Sequence, residues 1–311
     1  MTAPSRDGTG RFLVFTAQFG GYDPIMPVFR PVAGVEYLVL SDRGMRLPKP
    51  WKLRKIVPPV ELTTDRMRNR YYKIHATRLL PEFDRSLYID AHVQIIDDMT
   101  SLFAEFAMSE SCLGLMKHHR SISVEDEVER SLRYARITRE DVEKNWESQR
   151  ARQRAAGFED DLGVFRGGFI LRNHRCDEVA QFEDAWWEEL RRGVTRDQVA
   201  LPFALWLSGI SAFSIPGRWL FPPHVRRFEH LPRGHRLQRI ARWLESRREP
   251  SRGAGVLASA LRPILSARKL RRRLRRVVSS RLAGRRSHRW ALRLLHPVAA
   301  TRSALARLGR P

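Results

Sequence analysis

The run Ser86-Leu87-Tyr88-Ile89-Asp90-Ala91-His92-Val93-Gln94-Ile95-Ile96 constrains the fold of this chain more than any other stretch. Seven of its eleven residues are apolar or aromatic, and Tyr, Ile and Val favour a packed, extended backbone, so it predicts a buried strand. An acid sits in the middle of it. Burying a carboxylate costs several kcal/mol unless it is paired or metal-bound, so Asp90 is expected where the strand opens into a cleft. Parallel α/β sheets bind ligands at the carboxyl ends of their strands. His92, two residues on, projects to the same side of an extended segment, and the pair can hold a divalent cation against a diphosphate. A strand-end Asp capping a turn beside a packed histidine is the competing reading.

Other stretches supply companions for this strand. Phe12 to Ala17 reads as a first buried strand, leaving through a loop that contains Gly20 and Gly21. Glu36 to Asp42 is a second strand ending in an acid, and Trp51 to Val57 a third. Asp65 to Leu80 reads as a helix carrying Arg66, Arg68, Arg70 and Lys73, a set that can clamp phosphates or form a solvated face. A short helix ending near Met108, a strand over Cys112 to His118 and a charged helical region from Ser123 to Asn145 follow, continued by Gln149 to Gly157. Val164 to Arg172 reads as a strand with a glycine pair, and Asp177 to Arg192 as an amphipathic helix. A further helix is capped by Thr195, and Ser211 to Pro216 is the expected last strand. Strands alternating with helices predict an α/β fold around a mainly parallel sheet.

The formal charge of +23 on 311 residues is unevenly placed. Residues 236–311 hold 22 Lys and Arg against two acids, Glu245 and Glu249, whereas residues 1–235 hold 35 basic and 32 acidic groups. The expected organisation is a loose N-terminus over 1–10, a nearly neutral domain over 11–235 and an Arg-rich extension over 236–311. In that extension Leu270, Leu274, Val277, Val278 and Leu282 share one helical face, with arginines around the rest. Such a helix suits an anionic membrane surface. Cys112 and Cys176 lie far apart and form no metal-ligand pattern, so a reducing compartment, or at least no disulfide framework, is expected. No apolar run reaches eighteen residues and no apolar signal core opens the chain, which gives an expected cytoplasmic location at the inner membrane surface.

Several motifs occur in order: Phe15 to Asp23, Arg70-Tyr71-Tyr72-Lys73-Ile74, Leu87 to Ala91, Lys117-His118 with Glu125 to Glu127, Gln149 to Gly157, Gly168 to His174, and Trp186-Trp187 followed by Arg196-Asp197-Gln198. Together they resemble the glycosyltransferase-like domain of plant mucilage-related and turgor-regulation-defect proteins, found also in bacteria, over roughly residues 11 to 217. The resemblance implies a GT-A-like, Rossmann-like fold that binds a nucleotide-sugar, a UDP-sugar first among them, usually with Mn²⁺ or Mg²⁺. It implies that Thr16, Gly20, Gly21, Tyr22 and Asp42 surround the nucleotide and that Arg70 and Lys73 hold the diphosphate. Asp90 would take the acidic metal or sugar position. His92 departs from the Asp-x-Asp pattern of such folds: imidazole can ligate Mn²⁺, but carboxylate oxygen suits both Mg²⁺ and Mn²⁺ better, which counts against a metal requirement.

Sugar transfer needs a neutralised leaving diphosphate and an oriented acceptor hydroxyl. Asp197, at a helix start beside Gln198, is the candidate for the donor sugar, with stabilisation of the helix N-terminus as its alternative. Glu127, with Glu125, is the candidate base, against a solvated helix start. His118 is a candidate for bonding the sugar or a phosphate. The expected function is transfer from a nucleotide-sugar to a hydroxyl of a glycan or lipid-linked acceptor in cell-surface polysaccharide synthesis. A non-catalytic sugar-nucleotide or glycan-binding module is one rival. A nucleic-acid binder acting through the tail is another, which the nearly neutral first 235 residues disfavour.

Overall fold

In this computed structural model the structure describes residues 10–21, 23–228, 230, 242 and 244–247, all within the first of two units, Met1–Pro250 and Ser251–Pro311. The expected amphipathic helix of the extension lies outside the described residues, as does Tyr22.

Seven strands form one sheet: β1 (Phe12–Ala17), β2 (Val35–Ser41), β3 (Lys52–Lys55), β4 (Arg85–Ile89), β6 (Leu113–Leu115), β7 (Phe169–Asn173) and β8 (Phe213–Ser214). Their order is β3-β2-β1-β4-β7-β6-β8. β1, β2, β3 and β4 pair in parallel, β7 runs antiparallel to both of its neighbours, and β8 is parallel to β6. The mixed, mainly parallel sheet is the arrangement expected from the sequence. β5 (Val93–Ile95) pairs outside it with β9 (Val225–Arg227), a strand beyond the one expected to be last.

The central strands are buried on both faces, so their alternate residues feed two cores. Phe15 and Tyr88 join one core, with Phe182 and Trp186 of α6 (Asp177–Arg192) and Ala200 and Leu201 of α7 (Asp197–Ser208). Val14, Leu87 and Ile89 join the other, with Leu102, Phe103 and Phe106 of α3 (Thr100–Met108). Val124 and Val128 of α4 (Val124–Arg133) pack with Val194 and Val199 in a smaller cluster, against which Val142 of α5 (Arg139–Ala155) rests.

Local departures from the expected elements have local causes. The helix expected over Asp65 to Leu80 is two, α1 (Asp65–Ile74) and α2 (Ala76–Leu79), separated at His75. The charged helical region divides at Tyr134 into α4 and α5, each opened by a hydroxyl cap, Ser123 and Thr138. Thr195 is no cap: Arg196 holds that position, and the Thr195 hydroxyl donates instead to Asp141 at 2.6 Å.

The cysteines correct a further expectation. Cys112 and Cys176 form a disulfide. They are 64 residues apart in sequence, but β6 and β7 pair at Leu113 and Arg172, and Asn173 N–H donates to the Cys112 carbonyl at 2.8 Å. Sheet pairing, which spacing does not report, brings the thiols together.

Candidate functional site

The antiparallel pairing of β7 with β4 places the start of one strand beside the end of the other, Phe169 opposite Ile89. Asp90 N–H therefore donates to the Gly168 carbonyl at 3.1 Å. A side chain at Gly168 would overlap the Asp90 carboxylate, and a Cβ at Gly167 would stand 2.7 Å from Lys73 Nζ and 3.0 Å from Asp197 Oδ2. The glycine pair is there because the backbone must pass this close to two acids. Tyr88 donates its hydroxyl to Asp90 Oδ1 at 3.0 Å, and burial pushes the phenol well up, so it stays protonated.

Asp197 opens α7, and its carbonyl accepts from Trp186 Nε1 at 2.8 Å, which ties the site to the core. Its carboxylate pairs with Lys73 Nζ and stands 3.7 Å from both Arg70 and Arg196. Burial alone would raise its pKa, but Lys73, Arg70 and Arg196 outweigh that and hold the carboxyl well below the usual range. Burial also pushes the Arg70 guanidinium down to about 10.

Arg196 extends the network. It donates to Glu127 Oε1 through Nε at 2.9 Å and Nη2 at 2.8 Å, and also to Gln198 Oε1. Gln198 in turn donates to the Phe165 carbonyl at 2.9 Å. Glu127 is fully buried and accepts from Ser121 and Ser131 hydroxyls as well. Burial opposes its charge, yet Arg196 and these hydrogen bonds keep it below the usual range. Ser121 N–H donates to His118 Nδ1 at 3.0 Å, and burial pushes His118 down to about 4. Glu125 points elsewhere, pairing with Arg150.

The tertiary structure thus collects Arg70, Lys73, Asp197, Gln198, Glu127 and His118 in one network with Asp90 beside it. Arg196, the hub, was missed by sequence reasoning although it adjoins Asp197. The remaining candidates gather at the ends of β1 and β2. Thr16 is buried, with no partner for Oγ1 among the described residues. Gly20 and Gly21 take left-handed φ of 69° and 62°, and Asp42 lies 3.6 Å from Arg68. These share no hydrogen bond with the network among the described residues.

His92 has neighbours that sequence spacing did not suggest. Its ring lies 4.3 Å from that of His230, and ligand atoms of Asp23, His92 and His230 all fall within 4.8 Å of one another. Asp23 bonds His230 Nδ1 at 2.6 Å and Arg242 at 3.0 Å. His92 is buried, with no hydrogen-bond partner for Nδ1 among the described residues. Burial pushes it down to about 4, leaving a neutral imidazole suited to a metal. The donor types fit a divalent cation, although the bond from Asp23 raises His230 above its ordinary value, so a metal there has to displace a proton. Asp90 contributes its charge, felt at both histidines, while its Oδ1 is bonded by Tyr88.

Residues 50–213 match the TOD1/MUCI70 glycosyltransferase-like domain, and the chain belongs to that family. No curated protein matches the sequence. Among solved structures, the chain is similar to mouse xyloside xylosyltransferase 1 (TM-score 0.42, 12% identity, covering 67% of this chain and 86% of that one). It is similar also to the bifunctional glycosyltransferase WbbM (0.42, 11%, 80% of this chain and 46% of that one). A third is core-mannan synthase A from Aspergillus fumigatus in its Mn/GDP form (0.38, 9%, 65% and 71%).

Proposed function

We propose that this protein is a glycosyltransferase that moves a sugar from a nucleotide-sugar, a UDP-sugar first among the candidates, to a hydroxyl of a glycan or lipid-linked acceptor in cell-surface polysaccharide synthesis. The observation that carries the reading is Asp197, held ionised by Lys73, Arg70 and Arg196 and backed by Gly167. In the reaction the acceptor oxygen bonds to the anomeric carbon, the bond from that carbon to the diphosphate breaks so that the nucleoside diphosphate leaves with the electron pair, and the hydroxyl proton passes to water. Asp197 is fixed before the donor arrives, so it can hold sugar hydroxyls without reorganising. Lys73 and Arg70 keep positive charge beside the leaving diphosphate. Glu127, enclosed by Arg196, Ser121 and Ser131, orients Arg196 and Gln198 rather than reaching an acceptor. Thr16, Gly20, Gly21 and Asp42 suit the nucleoside.

Asp23, His92 and His230 would hold a divalent cation, which supplies charge neutralisation at the diphosphate when bound. Two imidazoles favour Mn²⁺ over Mg²⁺.

The test is thermal stability of the full chain with UDP-, GDP- and dTDP-sugars, with and without Mn²⁺, in wild type and Asp90→Ala. A ligand at a hundred times its dissociation constant stabilises by about 2.7 kcal/mol. A Mn²⁺-dependent shift for one nucleotide, lost in Asp90→Ala, is expected; no shift with any donor removes the reading.

The extension over 236–311 is our candidate for holding the enzyme at the cytoplasmic face of an anionic membrane. Unchanged association with anionic liposomes after deletion of residues 250 to 311 would defeat this.

A further inference from the structure

Beside the Asp197 network lies a second set of cations that no carboxylate among the described residues neutralises. Arg166 immediately precedes Gly167 and Gly168. Its segment is joined to the end of β6 by Arg166 N–H donating to the Met116 carbonyl at 2.8 Å and His118 N–H donating to the Val164 carbonyl at 2.7 Å. That pairing brings Arg166 Nη2 to His119 Nδ1 at 2.5 Å, and the His119 ring stacks on His118. Arg120 follows in the same loop. Arg130 comes from α4, its guanidinium 5.7 Å from the Tyr134 ring and its Nε buried with no hydrogen-bond partner among the described residues. Arg227 ends β9 opposite Val93, and Phe228 N–H bonds the His92 carbonyl at 2.9 Å, so this arginine stands next to the cation ligands.

The four charges act on one another. Burial, then Arg227, Arg120 and Arg130, lower Arg166, and the same arginines with Arg166 act on His119. Among the described residues none of the four has a carboxylate partner within ion-pair distance; the acid nearest in the network, Glu127, is bonded to Arg196 and pairs with Arg136. Arg120 and Arg227 are exposed, and Arg130 and Arg166 half-buried, so an incoming molecule can reach them. His119 presents its Nδ1 lone pair to Arg166, which leaves the ring proton on Nε2 as one more neutral donor. Four uncompensated guanidinium groups repel one another, and an oxyanion relieves that repulsion while accepting paired N–H bonds.

We propose that Arg120, Arg130, Arg166 and Arg227 form a subsite for an oxyanion, carboxylate or phosphate, carried by the acceptor glycan. The inference rests on the glycosyltransferase reading. Arg70 and Lys73, the cations on the donor side, already have a carboxylate partner in Asp197. This second set comes from different elements, the loop after β6, α4, the segment before β7 and the end of β9, and it awaits a different anion.

The experiment uses the full chain at 150 mM salt (about 8 Å screening length, which suppresses loose association with the basic tail). Binding of triglucuronic acid is compared with its methyl ester, and of maltotriose 6-phosphate with maltotriose, by calorimetry. Wild type, Arg166→Gln, Arg227→Gln and a tail variant with Arg271, Arg272, Arg273 and Arg275 changed to Gln are compared. At least a ten-fold preference for one acidic form is expected in wild type and in the tail variant, falling below three-fold in Arg166→Gln and Arg227→Gln. The acid with the larger ratio names the group. The Mn²⁺–UDP thermal shift should persist in both site variants. Equal binding of acidic and neutral forms, a preference that survives both site substitutions, or one lost only in the tail variant overturns the proposal. Loss of the Mn²⁺–UDP shift in Arg166→Gln also overturns it, by giving these arginines to the donor diphosphate. A wild type with no UDP shift but with an Arg166-dependent preference rejects the donor reading and leaves the anion subsite standing.

Discussion

Lys73 and Asp197 form an ion pair across 124 residues of sequence, with side chains only 4% and 9% exposed. Lys73 comes from α1 and Asp197 from the first turn of α7, so the pair locks two helices on the same face of the sheet. It also fixes the carboxylate at the glycine pair before any ligand binds.

Removing the two partners should therefore have unequal effects. Asp197→Ala leaves Lys73, Arg70 and Arg196 without their shared counter-charge, and breaking a buried pair in this way costs about 3–5 kcal/mol. Lys73→Met should cost less, because Arg70 and Arg196 still neutralise Asp197. Urea unfolding of both variants checks the order; a larger loss for Lys73→Met would contradict it.

Gly168→Ala should displace Asp90, because the added Cβ would overlap its carboxylate. The backbone there needs no left-handed conformation, so the effect is steric and local. A displacement near 1 Å at a reacting centre costs on the order of a hundred-fold in rate. The expected result is a protein of nearly normal thermal stability with sugar transfer reduced by about that factor.

His230→Ala should remove the Mn²⁺-dependent part of any donor-induced thermal shift and leave the metal-free melting temperature nearly unchanged, since this side chain is exposed. An unaltered Mn²⁺ response would exclude His230 as a ligand.

Stability should fall below neutrality. Burial pushes His75, 2% exposed, down to about 4 from an ordinary 6.5. The unfolded chain therefore binds a proton that the folded chain refuses. This contribution is fully present above pH 6.5 and is lost as pH falls from there to about 4, at about 1.4 kcal/mol per pH unit. His174, also pushed down to about 4 by burial, acts in the same direction. Urea titrations at pH 7.5, 6 and 5 should show the loss, with a shallower slope in His75→Gln.

Reducing the Cys112–Cys176 disulfide should destabilise the domain by about 4 kcal/mol, the chain-entropy value for a loop of this length. Thiol blocking followed by mass spectrometry on intact cells would show whether the bond exists in place. Disulfides persist in oxidising compartments, so finding the thiols free supports the cytoplasmic proposal and finding them bonded opposes it.

Much of this protein was legible in the residue pattern. Strand interiors such as Leu13 to Phe15 and Leu87 to Ile89 announce themselves because burial on both faces demands continuous apolar side chains. α6 was readable at both ends, since its apolar face repeats with the helical period. The ordered motifs, Asp90 after its strand and Arg196-Asp197-Gln198 at a helix start, pointed to the family before any contact was known. Glycines 167 and 168 were visible as a pair, but what approaches them was not.

Tertiary structure decided which of these groups meet. That Asp197 would take Lys73 and Arg70 as partners, that Glu127 would be enclosed by Arg196, and that His92 would face Asp23 and His230 are facts about chain segments far apart in sequence. Local periodicity reports which face of an element is buried, because burial acts residue by residue. It carries no signal for which buried charge pairs with which, nor for the meeting of Cys112 and Cys176, because those contacts depend on the order and direction of strands in the sheet.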